Sequence, residues 1–343
     1  MKLVTFVPGS DPSGILRVGA VIGEEPLFAD LQAGSVLMSG KPASFLSDMI
    51  ALLDGGEEAL DYTAGVIDFV SQRRPEGTVY RMEDIFLKAP VPQPRSIRDC
   101  LVFKKHLIQA TRTMVKWRFK PLAYLDAWME RTLGAGLIKP SRAWLERPLY
   151  YKGNPHTVVG PESDIQWPEY TGKLDYELEF GIFIGRRGKD IPREKAGEYI
   201  AGYTIFNDFS ARDTQVPEMM GRLGPAKSKD FDTGNAMGPF LVTADEVADP
   251  YNLTMVARVN GEEWSRGNSR DMFHRFEDII SYISRDETLY PGEFIGSGTV
   301  GNGCGLEFDR WLKPGDVVEL EVEGLGILRN RVVRPPKGNC YPT

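Results

Sequence analysis

Cysteine and histidine are both scarce in this chain, with three of each among 343 residues. Cys100, Cys304 and Cys340 are odd in number and far apart, which argues against a disulfide framework and fits a reducing, cytoplasmic setting. No apolar run reaches the roughly 18 residues of a membrane-spanning helix. The opening stretch Met1–Gly9 reads as a first strand rather than a signal peptide. Basic runs are also missing, and the net charge of −7 with a pI near 5.3 speaks against nucleic acid or an anionic membrane as partner. A Gly-x-Gly-x-x-Gly turn within a βαβ series is absent too, so a dinucleotide fold is not expected.

Enough apolar material remains for a sizeable core, with 42% hydrophobic and 26% charged residues. Residues 1–35 read as short strands joined by turns, at Lys2–Val7, Arg17–Ile22 and Leu27–Asp30. Ser44–Leu53 and Glu57–Val70 carry apolar residues at helical spacing. Ala89-Pro-Val-Pro-Gln-Pro94 cannot continue a helix, and a boundary is placed there. This gives a small N-terminal β/α domain over 1–90 and a larger domain over 91–343. Residues 101–113 can form a helix, and 111–153 reads as an aromatic-rich helical or looped insertion. From Asp175 onward short strands dominate, with Val317–Val322 alternating cleanly and Ile327–Val333 as its hairpin partner. The expected class is β-dominated α+β.

Chemistry concentrates in a few stretches. In Leu174-Asp-Tyr-Glu-Leu-Glu-Phe180 the period of a strand puts Glu177 and Glu179 on one face, roughly 6–7 Å apart, where their repulsion invites a cation. Asp208 adds an acid in the apolar context Phe206-Asn-Asp-Phe, and Asp99 adds another with His106 seven residues later. An oxygen-rich set without a cysteine or histidine cluster suits Mg²⁺, Ca²⁺ or Mn²⁺ rather than zinc. Spacing alone leaves open a plain half-buried strand with an acidic, wetted face.

The Glu-x-Glu strand is followed by Asn207-Asp-Phe-Ser-Ala-Arg-Asp-Thr-Gln215, then Lys229-Asp-Phe-Asp-Thr233, then Gly296-Ser-Gly-Thr299. In order and spacing, from about residue 95 to 335, this series resembles the fumarylacetoacetate hydrolase family. The resemblance implies a mixed β-sandwich roll for the C-terminal part, and a homodimer. It implies that Glu177, Glu179, Asp208 and Asp99 surround a divalent ion, Mg²⁺ foremost, with Lys229 and Thr233 at its outer shell or at a second cation. His106 then matches the catalytic histidine and Glu307 its orienting glutamate. Arg212, Gln215 and Lys229 match donors to a developing oxyanion, and Tyr151 and Thr299 match substrate contacts, with Tyr150 an alternative to Tyr151 under a one-residue shift. Asp175 is expected beyond the metal's ligands or in solvent.

The activity implied is hydrolysis of a carbon–carbon bond in a 1,3-diketo acid by water activated at His106. Gln109 stands where decarboxylase and acylpyruvase members of the family carry a glutamate, which favours the hydrolytic branch. Two alternatives remain: a Mg²⁺-dependent decarboxylase, hydratase or lyase on a 2-keto acid, and a non-catalytic binding protein with the metal as a staple.

Overall fold

In the computed structural model, residues 1–334 are described apart from Pro12 and Glu24, so Cys340 lies outside the described residues. The chain folds as a β-dominated α+β protein in which a twelve-stranded mixed sheet packs on a five-stranded one. Ten strands of the large sheet run Val79–Tyr80, Leu27–Asp30, Arg17–Ile22, Lys2–Pro8, Asn235–Thr243, Ile200–Asp208, Leu178–Ile184, Phe294–Gly296, Ile97–Cys100, Tyr150–Gly153, while Ile85–Lys88 pairs with Lys2–Pro8 and Val158–Val159 with Asn235–Thr243. Lys2 and Leu3 pair with Val242 and Leu241, so this sheet continues across the boundary near residue 90. The smaller sheet orders Glu262–Asn268, Thr254–Val259, Val317–Val322, Gly326–Val333 and Asp164–Gln166.

Strand burial follows from this layering. Val317–Val322 keeps Val318, Leu320 and Val322 inside, as its alternation requires. Leu178–Ile184 is buried throughout because both its faces are covered. Phe180 and Ile182 join Met255, Ala257 and Leu320 of the facing sheet. Phe183, on the other face, joins Phe206, Phe294 and the N-terminal Leu3, Leu31 and Val66.

Leu31–Ser39 is helical, beyond the strands and turns expected for the first 35 residues. Asp30 caps it, accepting a hydrogen bond from the Ala33 amide at 2.9 Å. The helix expected near 101–113 runs Lys104–Arg118. The aromatic insertion forms helices Lys120–Leu133 and Arg142–Glu146 before the strand Tyr150–Gly153. Arg112 ties the first of these to Lys104–Arg118 through Asp126 at 2.7 Å and Glu130 at 2.6 Å. Its aromatics divide: Trp144 is buried and donates to the Leu101 carbonyl, whereas Phe119, Tyr124 and Trp128 are exposed.

Candidate active site and metal centre

Strand register brings the acids together. Glu179 pairs with Phe206 across the antiparallel strands Leu178–Ile184 and Ile200–Asp208, which sets Asp208 beside the Glu177–Glu179 segment. On the other side, Phe294–Gly296 separates Leu178–Ile184 from Ile97–Cys100, and Gly296 pairs with Asp99. A Cβ at residue 296 would sit 2.3 Å from Asp99 Oδ1, so glycine is what lets Asp99 lean across the intervening strand. Oxygens of Asp99, Glu179 and Asp208 thereby lie within 4.8 Å of one another, all three residues buried.

Their electrostatics show a cluster short of positive charge. Burial, then repulsion from Asp208, pushes Asp99 up to about 8. Asp208 rises to about 6, mainly through burial, with Lys229 opposing the rise. Glu179 is raised as well, by burial and then by Asp99. Glu179 Oε2 and Asp208 Oδ1 are buried with no hydrogen-bond partner. Orphaned carboxylate oxygens converging on one point, without thiolate or imidazole, fit a hard divalent cation.

Glu177 has a different environment. Arg212 Nη2 donates to its Oε1 at 2.8 Å and Thr299 Oγ1 at 2.6 Å, while Lys229 Nζ and Ser210 Oγ donate to Oε2. Burial works against its ionisation, but the Arg212 and Lys229 charges override that and hold it far below the usual carboxylate range. Lys229 also donates to Asp208, so its ammonium bridges the two carboxylates and stays charged despite burial. Thr299 reaches Glu179 too, at 3.1 Å, and links the compensated acid to the uncompensated ones.

His106, in the first turn of Lys104–Arg118, places Nδ1 2.9 Å from Glu307 Oε1. Its Nε2 is 3.9 Å from Glu177 Oε1 and so turns toward the acids. Glu307 is held in turn by the amides of Asn302 at 2.8 Å and Gly303 at 2.9 Å. Cys304 packs under the pair, its Sγ 3.8 Å from His106 Nδ1, and burial pushes its thiol well up.

Tyr151, rather than Tyr150, meets the cluster: its hydroxyl donates to Asp208 Oδ2 at 2.5 Å. Gln215 accepts from Arg212 Nη1 at 2.7 Å. The Thr233 hydroxyl accepts from the Gln166 amide at 2.7 Å. Asp175, for which a solvent position was one expectation, is fully buried and bonded to Arg212 Nε at 2.8 Å. Its strand position carried no sign of that tie.

Comparison with known proteins identifies a family. The fumarylacetoacetate (FAA) hydrolase C-terminal family matches residues 127–333. The bovine oxaloacetate tautomerase FAHD2A, mitochondrial, is 40% identical over 191 residues, spanning 55% of this chain and 60% of that protein. The Xenopus laevis oxaloacetate tautomerase fahd2, mitochondrial, is 29% identical over 336 residues, covering 97% of this chain and 90% of its own length. A fumarylacetoacetate hydrolase from Exiguobacterium antarcticum superposes with a TM-score of 0.69 at 26% identity, covering 98% of this chain and all of that one.

Proposed function

The chain belongs to the FAA hydrolase family, and on that premise we propose a divalent-metal-dependent enzyme that cleaves a carbon–carbon bond in a 1,3-diketo, acylpyruvate-like acid. The observation that carries this reading is the His106–Glu307 pair, one imidazole nitrogen held by a carboxylate and the other facing Glu177 at the site's compensated side. Asp99, Glu179 and Asp208 would hold the ion, with Glu177 alongside, Mg²⁺ first and Mn²⁺ or Ca²⁺ as substitutes. When bound, such an ion supplies Lewis acidity to the substrate's keto oxygens and stabilises enolate charge.

The remaining steps fall to side chains. Nε2 of His106 takes a proton from water, which then adds to the substrate carbonyl. Glu307 accepts the Nδ1 hydrogen bond, fixes the tautomer and stabilises the imidazolium. Arg212 spends Nε, Nη1 and Nη2 on Asp175, Gln215 and Glu177, so its charge is fixed in place at folding. Gln215, its carbonyl held by Arg212, offers its amide nitrogen to a substrate oxygen, and the buried Lys229 charge adds to the field that stabilises the oxyanion. The imidazolium returns its proton to the departing carbanion. Tyr151 and Thr299, bonded to the acids, border the place a keto acid would take.

A second reading is favoured by the names of the bovine and Xenopus relatives: the same base moving a proton between carbon and oxygen of oxaloacetate, with no bond cleaved. Acylpyruvates and oxaloacetate, each incubated with Mg²⁺ and analysed by mass and by enol absorbance, separate the two. Hydrolysis yields two acids from an acylpyruvate; tautomerisation changes only the absorbance. No helix among the described residues is long and apolar enough to cross a membrane. We expect a reducing compartment for the free Cys100 and Cys304, cytoplasmic or mitochondrial, and a homodimer in solution.

A further inference from the structure

Asp175 contacts neither His106 nor the cation-poor acids, yet its carboxylate accepts three hydrogen bonds from two parts of the site. Oδ1 takes the Gly305 amide at 2.8 Å; Oδ2 takes the Leu306 amide at 2.9 Å and Arg212 Nε at 2.8 Å. Gly305 and Leu306 open the helical turn Gly305–Phe308, and the preceding residue, Cys304, gives it no side-chain cap. Asp175 therefore caps that turn from a distant strand, satisfying amides that would otherwise be orphaned. The turn carries Glu307, which orients His106. Arg212, on the other arm, holds Glu177 and Gln215.

Gly305 is built for the same contact. A Cβ there would lie 2.6 Å from Asp175 Oδ1 and 2.0 Å from the Arg310 carbonyl oxygen, so a side chain would force the turn off its cap.

We propose that Asp175 is a positioning residue for the reaction, fixing the His106–Glu307 base and the Arg212–Gln215 donors relative to each other through one buried carboxylate. The inference rests on the reading of His106 as the base. A displacement of about 1 Å between reacting groups is enough to slow a reaction about a hundredfold, and without Asp175 the Gly305 and Leu306 amides and the Arg212 Nε lose the carboxylate they share.

Asp175→Asn keeps the shape but turns one acceptor into an N–H that faces another donor, so one tie is lost. With the variant folded by circular dichroism, kcat should fall roughly 10- to 100-fold while KM stays within about threefold. The downfield Nδ1 proton resonance of His106, assigned by its absence in His106→Ala, should shift or vanish in Asp175→Asn. Adding Asp175→Asn to Glu307→Gln should cost much less than the product of the single losses, because both act on the same base. Gly305→Ala, which displaces the turn and leaves the carboxylate intact, should reproduce the resonance change and part of the kcat loss, and it decides the matter if Asp175→Asn does not fold. Wild-type kcat with an unshifted resonance in either folded variant, or losses that multiply fully with Glu307→Gln, would overturn the proposal. Failure of the underlying reading looks different: His106→Ala itself would then retain activity.

Discussion

Glu177 and Glu179 are two residues apart and both buried, yet their surroundings are electrostatically opposite. Glu177 lies on a side of the site where Arg212 and Lys229 supply fixed positive charge and every oxygen has a donor. Glu179 lies with Asp99 and Asp208 on a side where Lys229 reaches only Asp208 and two carboxylate oxygens have no partner. Counting acids therefore does not locate a cation site; the distribution of the protein's own cations does. The compensated side is finished at folding, and the uncompensated side is left as a candidate site for a cation.

The comparison can be broken from either side. His106→Ala should have the largest effect, lowering kcat by roughly 10²–10⁴. Mn²⁺ affinity should stay unchanged, since the imidazole faces the compensated Glu177 and not the open oxygens. Glu307→Gln should act in the same direction, and steady-state kinetics with a matched metal titration checks both. Lys229→Met removes the charge bridging Glu177 and Asp208 and should destabilise the fold by about 3–5 kcal/mol, as for one partner of a buried pair. Urea unfolding measures it, and a loss under about 1 kcal/mol would mean that the two sides are not distinct.

Much of this contrast was written locally and some of it was not. The alternation of Val317–Val322 and the apolar spacing of Glu57–Val70 gave those elements directly, because burial there follows the period of the backbone. The helix Leu31–Ser39 was hidden by Gly34, a poor helix former that is present because Val66 and Val70 pack where its Cβ would be. The Glu-x-Glu pattern announced two carboxylates but not their opposite environments, because Lys229 and Arg212 reach Glu177 only through the fold. Asp175 bonds backbone amides of Gly305 and Leu306, which leave no side-chain signature in a sequence. The tie of the Thr233 hydroxyl to the Gln166 amide, at the edge of the smaller sheet, likewise involves a backbone group and left no signal in the sequence.

Smaller effects sharpen the boundary between the two sides. Thr299→Val removes the hydroxyl shared by Glu177 and Glu179 and should cost about 1–3 kcal/mol of stability. Added Mg²⁺ should recover part of it if Glu179 then relies on the ion. Tyr151→Phe should weaken substrate binding modestly through Asp208, whereas Tyr150→Phe should leave KM unchanged.

The central claim is that the buried Asp99, Glu179 and Asp208 oxygens, and not the acids around Arg212, hold a divalent cation. Titration of Mn²⁺ into the metal-free protein, followed by electron paramagnetic resonance, tests it most directly. The account predicts one tight ion per chain in the wild type and in Thr233→Val, and its loss in Glu179→Gln and Asp208→Asn variants that remain folded. Wild-type Mn²⁺ binding in folded Glu179→Gln would contradict it.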